Sequence, residues 1–291
     1  MLLKKWQPNT EAIEELNSIL KSYKLSQRQK TLINIMITNI KKGIQGEKTA
    51  AYYIDYYLKD SKNWVVIHDL RIEFKGQIAQ IDHLLINRLY DMYVIETKNF
   101  HAQYMEINDY GEFTLKYKNS KIGIPSPIEQ NKRHIHLLDK ILTNKDMYPR
   151  RFIRIKPKFL NVIMVSPNTI VKRSSKFDTS NIIKADMIMK FIEEKIDKMS
   201  ITDTFSAIGK IASHEQLMNF GKKILMLHKP IKIDWLSYFG IKKEQKKKYF
   251  CARCKKDISE KEATYCWNHK SLFGGKAYCY DCQKFIKNAK I

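Results

Sequence analysis

The stretch Gln80-Ile81-Asp82-His83-Leu84-Leu85-Ile86, followed after a short turn by Tyr93-Val94-Ile95-Glu96-Thr97-Lys98, limits the possible folds more than any other part of the chain. Both runs have the apolar density of core β-strands. Yet they carry an Asp, a Glu and a Lys, residue types that strands disfavour and that are costly to bury without partners. Alternate side chains of a strand share a face, so Glu96 and Lys98 project together. Two carboxylates brought side by side can hold a hard divalent cation. An ammonium beside them can orient a water and offset the charge that builds when that water attacks phosphorus. The pattern points to metal-assisted phosphodiester hydrolysis. The plain alternative is a buried Asp82–Lys98 ion pair with Glu96 at a strand edge.

The surrounding sequence supplies a frame for these strands. Ile13, Leu16, Ile19 and Leu20 recur at helical spacing, and Ser26-x-x-Gln29 is a capping box that opens a second helix through Ile44. Gly46 reads as a break, after which Glu47–Leu58 forms a further helix with Glu47 in its first turn, where a carboxylate suits the helix dipole even without a function. Extended segments are expected at 64–74, 78–87 and 92–99, an antiparallel meander that a stretch at 112–118 would extend. Ser126-Pro127-x-Glu129 reads as a complete capping box for a helix from Pro127 to about Leu142. One stripe of that helix carries Ile128, Ile135, Leu138 and Leu142, and another carries Gln130, His134, Leu137 and Ile141. The uncharged run from Phe159 to Ser166 reads as a buried strand. Ile182-Ile183, a capped helix at Asp186 and a helix near 215–228 follow.

Four separated motifs carry a resemblance: Gly46-Glu47, Gln80-Ile81-Asp82-His83, Glu96-Thr97-Lys98-Asn99 and Ser126-Pro127-Ile128-Glu129-Gln130-Asn131. In order and context they resemble the nuclease-related domain family, a branch of the PD-(D/E)XK nucleases, over about residues 46 to 166. The resemblance implies an α/β, restriction-endonuclease-like core of helix, three strands, helix and strand. It implies that Asp82 and Glu96 ligate Mg²⁺ or Mn²⁺, that Lys98 is the catalytic lysine, and that Glu47 is an accessory acid. Gln130 becomes a helix-borne active-site residue. Some branches of the superfamily place a Tyr four positions after that Gln; here the position is His134, whose role the resemblance leaves open.

Lys and Arg total 53 against 30 Asp and Glu, a formal charge of +23 that favours polyanionic partners, nucleic acid first. Part of that excess would equally suit a lysine-solvated surface. The N-terminus lacks the long apolar core of a secretory signal, and no stretch is apolar and long enough to cross a bilayer, so a cytoplasmic protein without membrane contact is expected.

All five cysteines lie between Cys251 and Cys282, a clustering that in a reducing compartment favours metal over disulfides. Cys251-x-x-Cys254 and Cys279-x-x-Cys282 are separated by 24 residues, 255–278, close to the spacing of a zinc ribbon in which four thiolates hold a structural Zn²⁺. Cys266 and His269 are further candidates for that ligand set. The resulting layout is an N-terminal helical lobe (1–45), a nuclease-related domain with a helical extension (46–241), a basic linker (242–248) and a zinc-ribbon-like tail (249–291). The function expected is a DNA nuclease of low sequence specificity. The alternative is a catalytically silent nucleic-acid-binding protein that recruits a helicase or other DNA-processing partner.

Overall fold

The computed structural model describes residues 1–150, 154–198, 211–230, 232–242 and 249–289. These form two compact units, Met1–Trp235 and Leu236–Ile291. The first unit opens with a short strand β1 (Leu2–Lys4) and two helices, α1 (Thr10–Ser22) and α2 (Gln27–Leu58). Ser26 caps α2 with the expected capping box.

Helix α2 does not stop at Gly46. A glycine in a helix interior costs only about 1 kcal/mol relative to alanine, and here it is needed for close approach: a Cβ at this position would stand 2.6 Å from Asn99 Cβ. The expected boundary between residues 45 and 46 therefore falls inside one continuous helix. The amino-terminal segment is also woven into the sheet, because β1 pairs in parallel with β2.

Three strands follow as the apolar runs require: β2 (Trp64–Phe74), β3 (Gln77–Asn87) and β4 (Met92–Lys98). They pair antiparallel in sequence order. Strands β5 (Tyr104–Ile107), β6 (Phe113–Lys116) and β7 (Lys121–Ile124) lead to helix α3 (Pro127–Asn144), then β8 (Phe159–Val165), β9 (Val171–Lys172) and β10 (Ile182–Lys184). The main sheet has the order β1-β2-β3-β4-β8-β10, with β8 parallel to β4 and β10 parallel to β8. The stretch at 112–118 does not extend the meander. It supplies β6 of a separate four-stranded sheet, β7-β6-β5-β9. Alternation at period two shows which face a strand buries but not which neighbour it pairs with.

Helices cover both faces of the main sheet, which is why its central strands are apolar without alternation. On one face Ala50, Ile54 and Leu58 of α2 join Val66, Leu85, Ile95 and Val162, together with α4 (Ile188–Asp197). On the other, Leu137, Leu138, Ile141 and Leu142 of α3 and the helix His214–Leu225 pack on Val65, Ile67, Leu84, Ile86 and Val94. Each fully buried Leu or Ile contributes roughly 1.5–3 kcal/mol. The second sheet completes that face, setting Met105, Ile107, Phe113 and Leu115 against Ile163, Val165 and Ile182.

Two local expectations change. Ser126 caps α3 and Pro127 opens it, but Glu129 does not return to the cap; its carboxylate takes Lys132 Nζ at 2.6 Å. The segment after β10 is a 3-10 turn, Ala185–Met187, that passes into α4 without a side-chain cap.

In the second unit, β11 (Tyr249–Phe250) pairs with β12 (Asp257–Ile258), followed by helices at Glu260–Asn268, Lys270–Phe273 and Tyr280–Asn288. The division between units precedes the basic run expected as a linker, and residues 243–248 of that run lie outside the described residues. No helix among the described residues is long and apolar enough to cross a membrane.

Candidate active site and metal centre

The side chains of β2 change parity midway. Val65 and Ile67 face α3, and so do Leu70 and Ile72, which is possible only because Asp69 adopts a left-handed backbone with φ 53°. Asp is among the few residues that tolerate this conformation as single positions. Strand β3 switches at the matching place, with Ala79 and Ile81 followed by Leu84 and Ile86 on the same face. Asp82 lies at that switch. Its Oδ2 accepts the backbone N–H of Thr97 at 2.7 Å, so its carboxylate reaches across to β4.

Glu96 and Lys98 lie on β4 and face α3. Lys98 Nζ donates to Glu96 Oε1 at 2.7 Å and to Gln130 Oε1 at 3.0 Å, while Gln130 Nε2 donates to Glu96 Oε1 at 2.8 Å. The ion pair formed is thus Glu96–Lys98, not the Asp82–Lys98 pair. His134, one turn beyond Gln130, brings Nδ1 to 3.4 Å from Glu96 Oε2, too poorly directed for a full hydrogen bond. Glu47 arrives from α2 and accepts Trp6 Nε1 at 3.1 Å.

Glu47, Asp82, Glu96 and Lys98 line one cleft of about 530 Å³, with Asn39, Lys42, Gly43, Thr97, Asn99, Phe100, His101 and Tyr117 around them. Burial and the charges of Glu96 and Glu47 push the Asp82 carboxyl well above the usual range, although the Thr97 N–H and Lys98 pull the other way. Glu47 is raised too, by burial and by Asp69 and Glu96, against the donation from Trp6. Burial would also raise Glu96, but His134 and the Lys98 ammonium outweigh it and hold that carboxyl low. Three carboxylates set against Lys42 and Lys98 leave one more acid than base in the cleft of a strongly basic chain. An all-oxygen donor set with that excess fits a hard divalent cation. The three are not gathered tightly, however. Among the described residues, the side chains drawn close enough to hold an ion are the cysteines of the tail.

Cys251, Cys254, Cys279 and Cys282 hold their sulfurs within 4.8 Å of one another. Cys279 sits at the N-cap of the last helix and Cys282 in its first turn. Burial alone would raise the Cys251 thiol, but backbone N–H groups of Cys254, Cys279 and Arg253 bring it down to about 6. Contact with the Cys279 sulfur and burial push Cys282 up to about 12. The same four sulfurs would all be thiolates around a dication. Cys266 is apart from them: its sulfur accepts the Tyr278 N–H at 3.4 Å and is fully buried. His269 Nδ1 turns to the Tyr265 carbonyl at 2.9 Å.

The run from Arg150 to Lys158 is rich in Arg and Lys and is partly neutralised by acids on and just after α3. Arg150 and Arg154 both pair with Asp146, and Lys156 lies 3.7 Å from Asp139; residues 151–153 are outside the described residues. Two participants lay beyond sequence reasoning. Trp6 reaches Glu47 over 41 positions, which no local pattern signals. Asn131, fully buried beside Gln130, donates to Val94 O at 2.7 Å and to Asn161 Oδ1 at 2.8 Å, tying α3 to β4 and β8; its place in the Ser126–Asn131 motif and in an apolar helix stripe marked it without revealing this role.

Residues 42–166 match the family model of the nuclease-related domain. No curated protein and no solved structure matches the chain. Glu47, Asp82, Glu96, Lys98, Gln130 and His134 all fall inside the matched segment. Residues 42–166 are thus similar to a nuclease-related domain, and the charged side chains of the cleft lie within that segment.

Proposed function

We propose that this protein is a metal-dependent nuclease that hydrolyses DNA phosphodiester bonds with low sequence specificity. The observation that carries the reading is the convergence of Glu47, Asp82, Glu96 and Lys98 on one cleft inside the nuclease-related segment. Asp82 and Glu96, with Glu47 as accessory acid, would hold Mg²⁺ or Mn²⁺. A divalent ion so held would polarise a phosphoryl oxygen and lower the pKa of a bound water.

The remaining roles belong to the chain. Lys98 positions the attacking water and stabilises the charge that grows on the phosphoryl oxygens. Gln130 fixes the Lys98 ammonium and the Glu96 carboxylate relative to each other through its two ends. His134 shields the second Glu96 oxygen from solvent. The four tail cysteines would hold a structural Zn²⁺, and because four thiolates close its coordination that ion activates no water. Lysines across a chain of charge +23 would supply phosphate contacts, which position nucleic acid without reading its sequence.

The test is cleavage of linear, circular and single-stranded DNA and of RNA, with Mg²⁺, Mn²⁺ or EDTA. Asp82→Ala, Glu96→Ala and Lys98→Ala should each lower the rate by about a hundred-fold or more while DNA binding persists. Cleavage by all three at the wild-type rate would sink the assignment. The loose spacing of the cleft carboxylates favours one alternative, a silent domain that only binds; binding without cleavage in any metal would establish it.

A further inference from the structure

Helix α2 buries one side and leaves the opposite side in solvent. Ala50, Ile54 and Leu58 enter the core, while Lys41, Gln45, Lys48, Tyr52, Tyr56 and Lys59 are all exposed. At about 100° per residue these six fall within roughly 40° of a single line, which points directly away from the sheet. The line holds three lysines, one amide and two tyrosines, and no acid. Tyr52 is 63 % and Tyr56 69 % exposed, so two rings one helical turn apart both stand largely in solvent. Their centroids lie 6.3 Å apart with planes tilted by 38°. Tyr53 and Tyr57 brace them edge-on at 5.3 and 4.9 Å, so the pair is held in place while keeping an open side.

The line begins beside the cleft. Asn39 and Lys42 line the cleft, and the Lys42 carbonyl accepts Asn99 Nδ2 at 3.0 Å, which fixes this turn of α2 against the end of β4. From Lys42 to Tyr56 the helix rises about 21 Å, the length of roughly six stacked nucleotides at about 3.4 Å each.

We infer that the outer stripe of α2 is a docking track for single-stranded DNA leaving the cleft, with bases stacked on Tyr52 and Tyr56 and phosphates held by Lys41, Lys48 and Lys59. A duplex keeps its base faces to itself and offers such rings nothing. An unpaired strand offers a π-face at every base, and aromatic rings spaced among cations are the means by which proteins hold it without regard to sequence. The track rests on the reading of the cleft as a nuclease site, and it narrows the substrate to DNA with an unpaired segment on the α2 side.

The experiment measures binding of the full chain, in EDTA so that no cleavage intrudes, to a labelled single strand of about twelve nucleotides and to a blunt duplex at fixed salt. Tyr52→Ala and Tyr56→Ala should each weaken single-strand binding by about five- to a hundred-fold and change duplex binding less than two-fold. Tyr52→Phe and Tyr56→Phe, which keep the ring, should bind as wild type does. The track is overturned if the Ala variants keep their single-strand affinity, if they lose duplex affinity equally, or if the Phe variants fall with them. Both sites are exposed, so an unchanged melting curve separates loss of binding from loss of fold. A chain that cuts DNA with its tyrosines irrelevant to binding loses the track alone. A chain whose tyrosines matter for binding but which cuts nothing in any metal loses the nuclease reading and keeps the track as a binding surface.

Discussion

Acid should destabilise this protein through one buried imidazole. His68 and His83 are fully buried between the main sheet and α2, their rings edge to face at 4.8 Å and their Nδ1 atoms 2.7 Å apart. His68 Nε2 lies 3.0 Å from Asp55 Oδ1. Two facing Nδ1 atoms share one proton, and the carboxylate decides whose it is. His68 must carry its proton on Nε2 to donate to Asp55, so its Nδ1 is the acceptor and His83 donates from Nδ1. His83 Nε2 is then a bare lone pair with no partner among the described residues, cheaper to bury than an unpaired N–H. Burial, helped by His68, holds the His83 pKa well below its ordinary value. A histidine lowered in the folded state contributes stability that is present above its unfolded pKa of about 6.5 and lost as pH falls below it. Between pH 7 and pH 5 the loss has a ceiling of about 2 kcal/mol, set by the unfolded pKa alone and reached when His83 stays neutral in the folded state throughout. His83→Asn keeps an N–H donor for His68 but cannot titrate. It should be less stable than wild type at pH 7, by about 1–3 kcal/mol for the lost ring, yet lose up to about 2 kcal/mol less than wild type on going to pH 5. Urea unfolding followed by far-UV circular dichroism at the two pH values measures both. Equal acid losses in the two proteins would refute the assignment of a neutral, proton-excluding His83.

Asn131→Ala should cost about 2–4 kcal/mol in urea unfolding, because it strands the Val94 carbonyl and the Asn161 amide oxygen in the core. Asp82→Asn should raise the Tm of the metal-free protein, and by more at pH 8 than at pH 5. A carboxyl raised in the folded state costs stability as pH climbs from its unfolded pKa of about 3.9 through its folded one. The same variant should lose any thermal protection by Mg²⁺, and protection equal to wild type would argue against Asp82 as a ligand. Cys→Ser at 251, 254, 279 or 282 should release bound zinc on metal analysis, whereas Cys266→Ser should retain it, since its sulfur is committed to Tyr278.

Strands β2, β3, β4 and β8 were legible because sheets buried on both faces write long apolar runs, and α3 was legible because Ser126-Pro127 is a start signal that acts locally. What failed was tertiary. Gly46 looks like a stop in one dimension, and only the proximity of Asn99 explains a glycine within a continuous helix. The stretch around β6 alternates as a strand should, but its sheet is chosen by Met105 and Ile124, not by its own residues. In the cleft, the residue types of Asp82, Glu96 and Lys98 and their strands could be read. The pairing of Lys98 with Glu96 could not, since it depends on Asp82 turning toward the Thr97 amide. The clue was present in the hydrophobic period itself. Positions 65, 67, 70, 72 and 79, 81, 84, 86 each skip a beat, and the skipped residues are the polar ones.

That skipped beat joins the fold to its chemistry. β3 pairs with β4 as far as His83 opposite Ile95, and the next pair would be Asp82 opposite Glu96. In place of another rung of backbone bonds, the Asp82 carboxylate itself takes the Thr97 N–H. The device that ends this ladder is therefore the one that delivers an acid to the cleft, and it leaves Glu96 and Lys98 to be organised from the other side by Gln130. A left-handed Asp69 and a high carboxyl at Asp82 are both costly, so the kink needs ties. Lys4 holds Asp69 at 2.9 Å and Gln80 bonds it from β3, while Asp55 of α2 pins His68, and through it His83, on the far face. Helix α2 thus supplies both Glu47 to the cleft and the anchor that keeps Asp82 aimed at it. Because the anchor lies on the face opposite Lys98 and Gln130, perturbing it should shift Asp82 alone and leave the Glu96–Lys98–Gln130 triangle standing.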